Sequence, residues 1–272
     1  MRIVAHLSDL HFGCADARIA TALLVHLRQL APDVVAISGD LTQRARRTQF
    51  SEARAYLAQL PGPRIVVPGN HDIPLYNVLA RMAFPRAGFF RHITPERHPY
   101  YEDDEIAVMG ADTTRALTIK DGGLRPVDVQ YLSCQLTAAG SARVRIVVCH
   151  HPFDSPRGRI GRLTWPRPDA RAVAELVAKG ADVFLTGHLH ASYMGRTAIR
   201  YQTDGRSAIV VEAGTATSKR VRGEPNGFNV LRVTHAHVVV EHLVWQPAAA
   251  SFLTAETQTF RHVAEGWVSM AG

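Results

Sequence analysis

The sequence predicts an α/β fold in one domain over residues 1–272, and two patterns point to it. Short apolar runs rich in Val and Ile alternate with longer segments of helical periodicity, the signature of stacked strand–helix units. Nearly every apolar run then ends in a polar cluster holding Asp, Asn or His. Strand ends in an open α/β sheet share one edge, so these clusters are expected to converge there. A chain of 272 residues is long enough to bury a sizeable core. A composition 46% hydrophobic and 20% charged argues against disorder, collagen-like repeats and a coiled coil.

In chain order, strands are expected at residues 3–7, 34–38, 64–67, 106–109, 145–149 and 183–186. The first helix is expected at 18–30, where Ile19, Leu23, Leu27 and Leu30 share one face. Further helices are expected at 49–60, at 127–138 after Pro126, and at 169–179 between Pro168 and Gly180. Residues 85–104, rich in Pro, Arg and aromatics, read as an ordered cap excursion. Segments 207–212, 228–233 and 238–244 read as antiparallel hairpin material rather than strand–helix units. Residues 246–272 form the tail, where Phe260, Val263, Trp267 and Met270 repeat at helical spacing, so a helix that packs on the core or on a second copy is expected. A homodimer is one reading of that stripe.

The net charge is +7, from 31 Lys and Arg against 24 Asp and Glu. The basic residues are dispersed apart from Arg44, Arg46 and Arg47, which read as a solvated helix start. Without a concentrated patch, nucleic acid is not the favoured partner. No apolar run approaches the roughly 20 residues of a membrane span. The first residues are broken by His6 and Asp9 and do not resemble a signal peptide. Three scattered cysteines, Cys14, Cys134 and Cys149, fit a reducing compartment, and a cytoplasmic location is expected.

The histidines carry the chemistry. Fourteen are present, and five fall in the polar clusters at strand ends. Those clusters supply Asp9, His11, Asp40, Asn70, His150, His188 and His190. Buried Asp and His at this density need a cation to offset their desolvation. Oxygen and imidazole donors without a thiolate suit Mn, Fe, Zn or Co better than a closed structural zinc site. The donors outnumber what one ion requires, and a bridging carboxylate would divide them between two. Two ions about 3.5–4 Å apart clamp a phosphoryl group and generate a nucleophile at neutral pH.

The blocks DxH (Asp9, His11), GDLT from Gly39, GNHD from Gly69, HHP from His150 and GHLH from Gly187 occur in the order of one known family. On these blocks the chain resembles the calcineurin-like metallophosphoesterases, and most closely their bacterial branch of cyclic-nucleotide and glycerophosphodiester phosphodiesterases. The resemblance implies a four-layer α/β/β/α sandwich with a two-metal site at the carboxyl edge of the strands. It implies that Asp9, His11, Asp40 and His190 bind one ion, and that Asn70, His150 and His188 complete a second site bridged by Asp40. His71 would bind phosphate and protonate the leaving group, oriented by Asp72. The implied reaction is in-line attack of an ion-activated hydroxide on a small phosphodiester. Arg115 and His151 are the candidates for substrate contact, and Arg157, Arg159 and Arg162 lie in a loop suited to specificity. The alternatives are a nuclease or nucleotide pyrophosphatase of the same superfamily, or a metal-binding interaction module without activity.

Overall fold

Alternation along the first strand sets the layering of the whole molecule. In the computed structural model, which describes residues 1–152, 170–197, 206–219 and 223–270, strand β1 spans Arg2–Leu7. Its Val4 faces a core between two sheets, whereas Ala5 and Leu7 face a core beneath helices. A strand buried on both faces reads as a continuous apolar run, as expected for parallel sheets covered on each side.

The first sheet has seven strands. Strands β1, β2 (Val34–Ile37) and β3 (Arg64–Val66) run parallel at one side. β1 then pairs antiparallel with β10 (Gly227–Val233), followed by β11 (His237–Gln246), β12 (Ser251–Val263) and β13 (Gly266–Ser269). The second sheet has six. Strands β5 (Ile106–Gly110), β6 (Val144–Val148), β7 (Val183–Thr186) and β9 (Ile209–Glu212) are parallel. Antiparallel β4 (Tyr100–Glu102) and β8 (Tyr193–Arg196) close its two edges. β9 pairs parallel with β7 and antiparallel with β8, so the antiparallel pairing expected there forms on one side and the parallel set continues on the other.

Helices cover both outer faces. α1 (Ala17–Leu30) begins at Asp16, whose carboxylate accepts the Arg18 backbone N–H at 2.9 Å, and it buries Leu23 and Leu27 against the first sheet. Each such fully buried side chain contributes about 1.5–3 kcal/mol. α2 (Arg47–Leu57) joins the same layer through Phe50 and Leu57. α5 (Pro126–Ala139) and α6 (Ala170–Ala178) pack Leu132, Leu136, Val173 and Leu176 onto the second sheet. The order helix, sheet, sheet, helix is the four-layer sandwich expected. Two short helices, α3 (Val78–Ala83) and α4 (Ala87–His92), follow β3. Residues 85–104 fold into the body: Phe89 is buried in the first helical core, and β4 extends the second sheet.

The tail corrects the sequence reading. Residues 251–269 are not helical but form the hairpin β12–β13, with Phe260 opposite Ser269 and His262 opposite Trp267. Phe260 and Trp267 share the inner face of the first sheet and fill the core between the sheets. A seven-residue spacing places two side chains on one helix face, but a hairpin turning between them does the same. Thr254, Thr257 and Thr259 favour the strand. Among the described residues, no helix is long and apolar enough to cross a membrane.

Candidate metal centre

Five loops meet where the parallel strands of both sheets end. The loop after β1 is stitched to the loop after β2, with Asp9 N donating to Gly39 O at 3.1 Å and His11 N to Asp40 O at 2.9 Å. In the second sheet, Gly187 N donates to His150 O at 3.0 Å. Asp9, His11, Asp40, His188 and His190 all adopt left-handed backbone, with φ between 49° and 75°. That region costs a non-glycine residue about 1–2 kcal/mol, so the surrounding hydrogen bonds must hold it. Five of the eight such residues described are in this cluster, which locates the stored strain where side chains are turned inward. Gly39 also has positive φ, and a Cβ on it would stand 2.7 Å from the His150 ring.

The seven predicted donors come together as two groups. In the first, Asp9 Oδ1 stands 3.4 Å from His11 Nε2 and 3.5 Å from His190 Nε2. In the second, Asn70 Oδ1 stands 3.1 Å from His150 Nε2 and 3.0 Å from His188 Nδ1. Asp40 lies between them, one oxygen 3.8 Å from His11 Nε2 and the other 3.5 Å from His150 Nε2. The His188 backbone N–H donates to Asp9 Oδ2 at 3.1 Å, which ties the groups together. Neighbouring groups fix the rings: His150 Nδ1 meets the Ser38 carbonyl at 2.7 Å, and His190 Nδ1 meets Thr215 Oγ1 at 2.6 Å.

The donor set fits metal ions on two observations. His150 Nε2, Asn70 Oδ1 and His188 Nδ1 lie within 3.2 Å of one another, with at most the His188 Nδ1 proton to share among the three once His150 Nδ1 donates to the Ser38 carbonyl. A cation among them satisfies all three. Asp9 Oδ1 and both His11 nitrogens are buried without a hydrogen-bond partner among the described residues. Groups that can hold an ion include Asp9, His11 and His190; Asp9, Asp40 and His150; and His150, His151 and His188.

Electrostatics agree with this arrangement. Burial pushes the Asp9 and Asp40 carboxyls up, but the imidazoles around them outweigh it and both pKa values are lowered. Burial and the neighbouring His150 lower the His188 pKa to about 3, so its ring is neutral and ready to ligate. Burial, with Asp40 nearby, raises the Asp72 pKa to about 6.

His71 is half-buried at the edge of the cluster. Its backbone N–H donates to Asp40 Oδ1 at 2.8 Å, and its ring Nδ1 lies 2.9 Å from the Gln43 carbonyl and 3.2 Å from Arg44 Nη1. Asp72 is placed differently from the expectation. Its carboxylate accepts backbone N–H groups of Leu41 at 3.1 Å, Thr42 at 2.8 Å and Gly69 at 3.0 Å. Among the described hydrogen bonds it makes none to the His71 ring, so the imidazole is held by Gln43, and Asp72 clamps the GDLT loop to the GNHD turn. Arg44 thus reaches the site rather than solvent. Arg115 is exposed with its guanidinium over Gly123. His151 is buried beside His150 and His188. Arg157, Arg159 and Arg162 lie outside the described residues. Ser38, Gln43, Thr113 and Thr215 carried no signal in the sequence, because each acts through one carbonyl or hydroxyl brought in by a distant loop.

Over 160 residues the chain is similar to a probable cyclic nucleotide phosphodiesterase of Synechococcus sp., at 26% identity, covering 55% of this chain and 57% of that protein. It is 31% identical over 164 residues to the glycerophosphodiester phosphodiesterase GpdQ of Enterobacter lignolyticus, covering 55% and 56%. The chain thus spans little more than half the length of these two curated relatives. Its fold is similar to purple acid phosphatase PPD1 from yellow lupin, with a TM-score of 0.71 at 13% identity over 95% of this chain and 53% of that one. A dimetal phosphatase from Danio rerio superposes with a TM-score of 0.62 at 13% identity, over 93% and 98% of the two chains. The calcineurin-like phosphoesterase family model matches residues 3–192, and the chain belongs to that family.

Proposed function

We propose that this protein hydrolyses small phosphodiesters, with cyclic nucleotides and glycerophosphodiesters as the leading substrate classes, at a centre of two metal ions. The observation that carries the reading is Asp40, whose carboxylate stands between two groups of facing donors, with His71 at their edge. Asp9, His11, Asp40 and His190 hold one ion, and Asp40, Asn70, His150 and His188 hold the other; Mn, Fe and Zn suit these donors. When bound, such ions polarise phosphoryl oxygens and lower the pKa of a coordinated water.

His71 handles the leaving group. The Gln43 carbonyl at 2.9 Å and the Arg44 guanidinium at 3.2 Å both engage Nδ1, which leaves Nε2 as the atom available to substrate. Protonated at Nε2, the ring binds a phosphoryl oxygen and passes that proton to the departing alkoxide. Burial lowers the His71 pKa, which makes the proton easier to give. The names of the relatives support the substrate classes, and the free Cys14, Cys134 and Cys149 are consistent with a cytoplasmic setting.

The test is hydrolysis of bis-(p-nitrophenyl) phosphate, cyclic nucleotides, glycerophosphodiesters and single-stranded DNA by the full chain with added Mn²⁺. Turnover of the small diesters and not of DNA is expected. DNA cleavage at the higher rate would establish the nuclease alternative, and no hydrolysis of any substrate would end the enzymatic reading.

A further inference from the structure

His151 follows a proposed ligand in sequence and was expected only as a possible substrate contact, yet its surroundings match those of the ligands themselves. Its side chain is 6% exposed, and Nε2 has no hydrogen-bond partner among the described residues. Asp9 Oδ1 and the His11 nitrogens show the same condition inside the donor cluster. The ring stands 4.9 Å from that of His150 and 4.8 Å from that of His188, and each of these three residues offers a donor atom within 4.8 Å of the other two.

Its anchoring is that of a ligand. His190 rests its Nδ1 on a threonine hydroxyl, Thr215 Oγ1, at 2.6 Å; His151 rests its Nδ1 on Thr113 Oγ1 at 2.8 Å. Thr113 Oγ1 also accepts the His151 backbone N–H at 3.2 Å, and a hydroxyl oxygen has two lone pairs with which to accept both. With the proton on Nδ1, the lone pair is on Nε2, the tautomer that binds metal. Gly122 makes the ring's place: a Cβ there would stand 2.1 Å from Nδ1. The competing partner for the ring is the Lys120 backbone.

We infer that His151 is an additional metal donor, through Nε2, to the ion held by Asn70, His150 and His188. The added imidazole makes that position select a nitrogen-preferring transition ion such as Zn²⁺ or Co²⁺ over Mg²⁺. The assignment rests on the two-ion reading above.

The experiment titrates the chelator-stripped full chain with Zn²⁺ by calorimetry and with Co²⁺ by visible absorption. The wild type is expected to bind two ions. His151→Phe keeps the ring's packing and removes the donor; it should melt no lower than the wild type without metal, lose affinity for one ion by at least about tenfold and change the Co²⁺ spectrum. Thr113→Val, which removes only the anchor, should weaken the same ion by a smaller factor and serves if the first variant fails to fold. Wild-type affinities and spectrum in both variants overturn the assignment while leaving two ions in place, with His151 then a brace bonded to Lys120. A wild-type protein binding a single ion overturns the two-ion reading and this assignment with it.

Discussion

His150 presents Nε2 to Asn70 Oδ1 at 3.1 Å while its Nδ1 meets the Ser38 carbonyl, and in the same cluster Asp9 Oδ1 and both His11 nitrogens are buried with no hydrogen-bond partner among the described residues. Unpaired buried acceptors each cost about 1–3 kcal/mol, and a bound cation relieves several at once. Metal should therefore stabilise the fold. At a hundredfold excess over its dissociation constant, one ion adds about 2.7 kcal/mol, or about 5–10 °C in melting temperature for a chain of this size. Thermal melts with chelator, then with Mn²⁺ or Zn²⁺ restored, check this. An unchanged melting temperature would mean that the donors are satisfied without an ion.

His71 donates its backbone N–H to Asp40 and leaves its ring at the edge of the cluster. His71→Ala should lower kcat by about 10²–10⁴-fold, the usual share of a general acid, while metal content holds. Steady-state rates set beside elemental analysis decide the matter. Parallel loss of rate and metal would remove the proton-donor role.

Asp72 gathers three buried N–H groups from two loops. Asp72→Ala leaves them without an acceptor, at a cost of at least about 3 kcal/mol. Urea denaturation of the chelator-stripped variant should show that loss. A variant as stable as the wild type but catalytically dead would return Asp72 to the orienting role expected from the sequence.

His6 is fully buried against Ser38 Oγ at 2.9 Å, and burial lowers its pKa to about 3. The unfolded chain takes up this proton near pH 6.5, whereas the native state does not until about pH 3. Between those values the unfolded state binds more protons, so stability falls as pH falls, by about 1.4 kcal/mol per pH unit for this group. Denaturation midpoints at pH 7.5 and 5.5 should show the decline. His6→Gln, which can still bond Ser38, should lessen the decline by that share, His188 contributing its own; an unchanged slope would assign the proton uptake elsewhere.

Trp267 is buried between the sheets with Nε1 3.2 Å from Asp182 Oδ1. Trp267→Ala should cost about 3–5 kcal/mol. A loss below about 1 kcal/mol by chemical denaturation would show that the tail contributes little to the core.

The sequence alone determined the layered α/β class, the strands that end in donors and the seven candidate ligands, because these are local properties. A strand buried on both faces must be apolar throughout, and a short side chain turned onto an ion must follow that strand immediately. Asp9, Asp40 and Asn70 are legible for this reason. Tertiary structure alone decided the rest. The tail became a hairpin because Phe260 and Trp267 are both drawn to the core between the sheets, and a seven-residue interval serves a turn as well as a helix. The partners of Asp72, His71 and His151 are backbone groups and hydroxyls from loops about 30–40 positions away. Which carbonyl meets which imidazole depends on how two sheets stack, and no residue's identity announces it.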